Sequence, residues 1–370
     1  MDYRKKVFTH KNPYDLEKTH SHFFEAVKQN CAFHYQNCPE YTKILDYKNF
    51  SPKALHTADD LHKLPFIPTL FFKSHQLFSM PPSKLPIKAT SSGTKGKMSN
   101  IGFDTLGLYY GLRMVLRLGQ YHKLFSPVPT NYIILGYEPH KSNHMAVSKT
   151  AFGATLFTPA LHREYALKYT PEGYKVDLDG ILHTLERYAK EPFPVRFMGF
   201  PSYTYFLLQK LQEKGLRFKL RKGSKVLLGG GWKQFYTERV EKEELYRLID
   251  ETLGIQETDV KEFFGAVEHP ILYCDCKNHH FHIPIYSRVI IRDVNTFEPL
   301  PNGEVGLVNL ITPMVKSVPL LSVMTDDLGV LHEGSKCGCG ITSSYLEIIG
   351  RVGLQDIKTC AAGATDLLKL

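Results

Sequence analysis

The residues best equipped for chemistry crowd together at Thr90-Ser91-Ser92-Gly93-Thr94-Lys95-Gly96-Lys97-Met98-Ser99. Backbone N–H groups, hydroxyls and ammonium groups in such a loop can converge on phosphate oxygens. It lacks the Gly-x-x-x-x-Gly-Lys spacing of a P-loop, and a plain Ser/Gly linker is the bland alternative. A second feature, Leu227-Leu228-Gly229-Gly230-Gly231-Trp232, sets three glycines after an apolar run. Either a flat ligand approaches the backbone there or the chain simply turns. In Phe263-Phe264-Gly265-Ala266-Val267-Glu268-His269 a carboxylate follows another strand-like run. Glu268 could hold Mg2+ against nucleotide phosphates, or be an ordinary solvated side chain. Thr325-Asp326-Asp327 offers adjacent carboxylates that suit a ribose diol, a metal or a turn.

The chain has seven cysteines, an odd number that argues against a disulfide framework. Cys274, Cys276, His279, His280, His282, Cys337 and Cys339 form two groups of soft and borderline donors. Brought together by the fold, they match a tetrahedral Zn2+ site of the Cys3His type; the alternative is a set of reduced surface thiols. Four protein ligands leave no open position, so such a site is structural. Cys360 stands apart in Lys358-Thr359-Cys360, where the ammonium two residues away could favour the thiolate. A lone cysteine is otherwise a small buried hydrophobe.

These groups need elements to position them. Residues 13–48 are aromatic and charged and contain no glycine, which suits helices. Leu64-Pro65-Phe66-Ile67-Pro68-Thr69 is an extended segment punctuated by prolines. Apolar runs at 131–137, 195–199, 224–231 and 260–264 read as strands, with helical spacing at 203–215 and 236–253 between them. This alternation predicts an α/β fold with a mainly parallel sheet covered by helices. Beyond residue 280 the texture changes to short alternating strands at 281–285, 287–292 and 304–310. There are no internal repeats.

Composition sets the outer bounds. Hydrophobic residues make up 43% and charged residues 22%, as in a globular protein. The net charge of +9 comes from scattered Lys and Arg that do not alternate with aromatics, so nucleic acid is not the expected partner. No apolar run is long enough to cross a bilayer, and the charged N-terminus has no apolar stretch behind it. A cytoplasmic protein is expected.

In this order the motifs resemble those of the adenylate-forming enzyme superfamily. Ser91–Ser99 is similar to its Thr-Ser-Gly-Thr-Thr-Gly-x-Pro-Lys signature, Gly229–Gly231 to its adenine-side loop, and Phe264-Gly265-Ala266-Val267-Glu268 to its aromatic-Gly-x-Thr-Glu motif. Thr325-Asp326-Asp327 resembles its Thr-Gly-Asp, and Gly350-Arg351 the Gly-Arg before its hinge. The Cys/His set resembles the zinc site of the phenylacetate–CoA ligase-like branch. Leu64-Pro65-Phe66-Ile67-Pro68, Phe71-Phe72-Lys73, Gly229-Gly230-Gly231-Trp232-Lys233 and Gly350-Arg351-Val352, with a cysteine near the C-terminus, look like the acyl-protein synthetase family of the bacterial bioluminescence fatty-acid reductase system.

The resemblance implies an AMP-forming acid–thiol ligase. It would activate a carboxylic acid, by analogy a fatty acid, as an acyl-adenylate and pass the acyl group to a protein thiol for delivery to a reductase partner. An acyl-CoA or acyl-carrier-protein ligase is the alternative. ATP and AMP would be held by Ser91, Ser92, Gly93, Thr94, Lys95, Gly96, Lys97, Gly229, Gly230, Gly231, Phe264, Gly265, Glu268, Asp327 and Arg351, with Asp327 on the ribose. Glu268 would also hold Mg2+. Cys360, Glu268 and Lys95 would act in catalysis. Cys276, His282, Cys337 and Cys339 would hold structural zinc, with Cys274 as an alternative ligand. The organisation implied is a helical N-terminal part at 1–85 of an adenylation domain, an α/β nucleotide-binding core at 86–270, a small β-rich zinc-bearing subdomain at 271–349, and a hinge remnant with its tail at 350–370. Two departures stand out. Lys95 replaces the second Thr of the signature, and Met98-Ser99 stands where it has Pro-Lys. Residues 352–370 are too few for a full C-terminal lid domain, so its lysine is also missing; Lys95, Lys97 and Lys358 are the candidates for positive charge near the α-phosphate.

Overall fold

A computed structural model describes residues 1–351 except 91–98, 142, 144, 145, 233, 234, 236 and 237. The phosphate-loop residues Ser91–Lys97, and Cys360 with its neighbours, therefore lie outside the described residues. The chain forms two compact units, one from Met1–His122 together with the chain from Gly265 onward, the other from Lys123–Phe264.

The discontinuous unit opens with helices α1 (Tyr3–Thr9), α2 (Leu16–Asn37) and α3 (Pro39–Tyr47). Asp2 and Asp15 cap the first two by accepting from otherwise orphaned N–H groups, and Pro39 starts the third where its missing N–H costs nothing. A two-residue strand β1 (Ile67–Pro68) and a single helical turn α4 (Thr69–Phe72) follow. Strands β2 (Ile87–Thr90) and β3 (Asn100–Phe103) pair antiparallel, so Thr90 and Asn100 lie opposite each other at the two ends of residues 91–98. Helix α5 (Thr105–Tyr121) had no signal in the sequence reading, because Gly107, Gly111 and Gly119 depress its helix propensity. The structure shows what two of these glycines do: a Cβ at Gly107 would meet Val315 Cγ1 at 2.8 Å, and one at Gly111 would meet Met314 Cε at 2.8 Å. Asp104 caps the helix through Gly107 N–H and also accepts from the N–H groups of Lys316 and Ser317.

The continuous unit is an α/β sheet. Its elements in order are β4 (Thr130–Tyr137), α6 (Ala146–Ala154), β5 (Ala160–Thr170), β6 (Gly173–Val176), α7 (Leu178–Tyr188), β7 (Val195–Gly199), α8 (Pro201–Glu213), β8 (Lys225–Gly229), α9 (Lys242–Leu253) and β9 (Val260–Ala266). Spatially the strands run β9-β8-β7-β4-β5-β6, all parallel except β6. Helix α9 begins at Lys242 rather than 236, because the spacing of Leu245, Leu248, Ile249 and Thr252 that buries one face begins there. The core joins Ile133, Leu135, Val195, Phe197, Val226 and Leu228 of the strands to Ile181, Leu185, Leu208 and Ile249 of the helices. Each such side chain contributes about 1.5–3 kcal/mol on burial. The order reverses between β4 and β7, the kind of switch point beside which open α/β sheets bind ligands.

The chain then returns to the discontinuous unit with β10 (His269–Cys274), β11 (Phe281–His282), β12 (Arg288–Arg292), β13 (Val305–Ile311), β14 (Ser322–His332) and β15 (Tyr345–Arg351). Of these, β11 to β15 give a sheet ordered β11-β15-β14-β13-β12, with β1 parallel on the first half of β14. Strand β11 is shorter than the 281–285 reading, since Pro284 has no N–H to donate. Thr325, Asp326 and Asp327, which suited a turn, lie inside β14. That strand's register shifts against both neighbours, between Leu307 and Asn309 and between Leu328 and Gly329. No helix among the described residues is long and apolar enough to cross a membrane.

Candidate functional site

Four donors meet near the end of the discontinuous unit. The ligand atoms of Cys276, His282, Cys337 and Cys339 all lie within 4.8 Å of one another. Cys276 Sγ is 3.6 Å from Cys337 Sγ, and Cys339 Sγ is 3.2 Å from His282 Nε2. Tetrahedral Zn2+ with Zn–S bonds of 2.3 Å spaces its sulfurs by about 3.8 Å, so the donor set fits the ion. Local backbone builds the arrangement. Gly338 at φ 71° and Gly340 at φ 99° adopt conformations that other residues resist, and so turn the chain after each thiol. The N–H groups of Asn278 and Ile341 donate to the Cys276 and Cys339 sulfurs at 3.3 Å. His282 Nδ1 lies 2.6 Å from the Ser343 carbonyl, which can only accept, so Nδ1 carries the proton and Nε2 offers its lone pair to the cluster. With protein atoms alone around it, the Cys337 thiol is pushed up to about 12 by burial and by its neighbouring thiols; a cation at the centre reverses that effect.

Cys274 is buried outside this cluster, its thiol 3.6 Å from the Asp275 carbonyl. His279 donates to Asp275 Oδ2 at 2.6 Å instead of facing the thiols. His280 approaches Cys337 Sγ at 3.1 Å and stacks on Tyr345. One neighbour had no sequence signal: Tyr14, whose hydroxyl is 2.7 Å from His122 Nε2 and whose ring meets that of His282 edge-on.

A second group in the same unit gathers acidic side chains. Glu268 occupies the two-residue turn between β9 and β10 and is nevertheless 5% exposed. Ser99, wholly buried, donates its hydroxyl to Glu268 Oε1 at 2.5 Å. Asp327 pairs across β14 and β15 with Arg351, whose Nε lies 3.6 Å from Oδ1. Burial raises the Asp327 carboxyl above the usual range; Arg351 opposes this, while Asp326 and Glu268 add to it. Glu268 is thus close enough for its charge to be felt at Asp327. Sequence reasoning named Ser99 only as a departure from a signature and missed its bond to Glu268.

In the continuous unit β8 ends at Gly229, followed by Gly230 at φ 81° and Gly231 at φ 68°. Both residues are exposed, so their backbone is open at the carboxyl edge of the sheet. Phe264 lies on β9 at that same edge. At the switch point Tyr137, at the end of β4, packs edge-on to Phe200, which neighbours Tyr203, and Tyr203 in turn packs on Phe235.

The profile described as "Acyl-protein synthetase, LuxE" matches residues 6–368. The chain belongs to the acyl-protein synthetase family. Among its relatives, the long-chain-fatty-acid–luciferin-component ligase of Aliivibrio fischeri is 24% identical over 350 residues, covering 93% of this chain and 88% of that one. The phenylacetate-coenzyme A ligase of Thermus thermophilus is 25% identical over 337 residues, covering 88% and 69%. In fold the chain is similar to a 2-hydroxyisobutyryl-CoA ligase solved with its acyl-AMP and CoA, with a TM-score of 0.69 at 14% identity over 93% of this chain and 72% of that one. Membership makes this an acid–thiol ligase of the adenylate-forming class, an enzyme that activates acyl groups with ATP.

Proposed function

We propose that the chain activates a long-chain fatty acid as its acyl-adenylate and then carries the acyl group on Cys360 as a thioester for a reductase partner. The observation that carries the first half is the convergence of Glu268, Asp327 and Arg351 in a chain matched to the family over nearly its whole length. In this reading Asp327 binds the ribose diol and Arg351 fixes the Asp327 carboxylate. Gly229, Gly230 and Gly231, with Phe264 and Gly265, give the adenine a flat backbone surface. Ser91, Ser92, Gly93, Thr94, Lys95, Gly96 and Lys97 bind the phosphates. Mg2+ on Glu268 would neutralise charge on the phosphate oxygens. The substrate carboxylate attacks the α-phosphorus as pyrophosphate leaves, Lys95 stabilising the developing charge. The Cys360 thiolate then attacks the acyl carbonyl, and AMP leaves. Tyr137, Phe200 and Tyr203 supply apolar surface at the switch point for the acid. Zinc on Cys276, His282, Cys337 and Cys339 would be structural, since four protein donors fill its sphere.

The likeness to phenylacetate-coenzyme A ligases favours a second reading, in which coenzyme A or a carrier protein takes the acyl group and Cys360 is a bystander. One experiment separates the two. The protein is incubated with ATP and radiolabelled fatty acid, denatured, and treated with hydroxylamine. Label that survives denaturation, is released by hydroxylamine and vanishes in Cys360→Ser supports the first reading. Label unaffected by Cys360→Ser, with AMP release driven by coenzyme A, refutes it.

A further inference from the structure

Turns normally face water, and a carboxylate in a two-residue turn gains most by staying there. Glu268 does the opposite: it is drawn inward and accepts from Ser99, a residue 169 positions away in sequence and itself wholly buried. The second carboxylate, Asp327, is close enough to be felt electrostatically, so two like charges would push apart without a fixed donor on one of them. The hydroxyl engages Oε1, one of the two carboxylate oxygens. Mg2+ demands octahedral geometry with short bonds and takes carboxylates one oxygen at a time, whereas Ca2+ accepts a bidentate carboxylate.

We infer that Ser99 is a positioning residue that holds Glu268 in a one-oxygen geometry and thereby sets the site's preference for Mg2+ over Ca2+. This rests on the assignment of Glu268 to the metal made above. Ser99 also stands where the superfamily signature has lysine, so the chain puts a neutral donor to Glu268 where a cation would otherwise sit.

The test uses the full-length protein and acid-dependent ATP–pyrophosphate exchange, titrated with Mg2+ alone and with Ca2+ as competitor, alongside the melting temperature of each variant. Losing a group that orients a metal ligand typically costs 10–100-fold in metal affinity. Ser99→Ala is therefore expected to raise the half-saturating Mg2+ concentration about tenfold or more and to make Ca2+ a stronger inhibitor, with kcat at saturating Mg2+ changed far less. Ser99→Thr, which keeps the hydroxyl, should restore both. In the Glu268→Gln background Ser99→Ala should add nothing. The inference is overturned if Ser99→Ala keeps the wild-type Mg2+ and Ca2+ responses, or if its effect persists undiminished in Glu268→Gln. Should Ser99→Ala not fold, Ser99→Cys, near-isosteric with a weaker donor, carries the same comparison. A wild-type Mg2+ response in Glu268→Gln alone would instead remove the metal assignment itself, and this inference with it.

Discussion

Replacing Cys337 by serine probes the thiol cluster most directly. Its sulfur is buried, lies 3.6 Å from Cys276 Sγ, and belongs to a set that fits tetrahedral Zn2+. Disturbing a partner that merely orients a ligand already costs up to ~100-fold in affinity, so losing a ligand costs no less. Through mass action, ~100-fold in affinity is about 2.7 kcal/mol of stability withdrawn from the folded state. For a body of 150–250 residues each kcal/mol moves Tm by roughly 2–4 °C, which gives a fall of about 5–11 °C. Elemental analysis of the purified protein should show one zinc per wild-type chain and much less in Cys337→Ser, and calorimetry should show the fall in Tm. Cys274→Ala is the control: its sulfur faces the Asp275 carbonyl outside the cluster, so zinc content should stay at wild type. Wild-type protein that carries no zinc and is indifferent to a chelator would refute the reasoning. So would loss of zinc from Cys274→Ala.

Three further outcomes are expected. Gly199→Ala should destabilise the continuous unit by about 3 kcal/mol or more, seen as a lower denaturation midpoint, because the residue sits at φ 146° and a Cβ there would overlap the Leu135 carbonyl. Asp327→Asn should leave Tm at pH 7.5 unchanged or higher, because burial penalises the ionised carboxyl. It should also weaken AMP binding by calorimetry about tenfold or more, the cost of losing charged hydrogen bonds to a diol. His34 is buried and held near 3 by desolvation, below its ordinary 6.5, so the folded state keeps it neutral while the unfolded chain takes up a proton. Its contribution to stability is full above pH 6.5 and declines as the pH falls toward 3, by roughly 1.4 kcal/mol per pH unit. Urea unfolding between pH 7 and 5 should show a slope that is shallower by about that amount in His34→Gln.

Legibility in the sequence followed the range of the forces. Strands β4, β7 and β8 are buried on both faces, so they read as apolar runs, and α8 shows its helical spacing. The donors Cys337 and Cys339 announced themselves by Cys-x-Cys spacing, because adjacent thiols are a local signal. The choice of Cys276 over Cys274 did not, because it depends on which side of β10's end each sulfur points. Helix α5 was hidden by glycines whose value lies in contacts with Val315 and Met314, some two hundred residues on. Strand β14 was hidden because aspartates are poor strand formers, and only pairing with β13 and β15 makes Asp326 and Asp327 part of a ladder. The Ser99–Glu268 bond joins residues with no local relation at all.

The discontinuous unit has a consequence for how the molecule is made. Arg4 donates to the Met314 carbonyl, Asn30 to those of Pro313 and Val315, and β1 needs β14 as its partner. The opening helices therefore leave the ribosome long before the strands that cover them are synthesised. Lys123–Phe264, by contrast, is one unbroken stretch of the chain. Synthesis thus completes a continuous stretch while the discontinuous unit on either side of it in sequence is still unfinished. The period when apolar surface on the opening helices waits uncovered is the time when a chaperone would matter most to this chain.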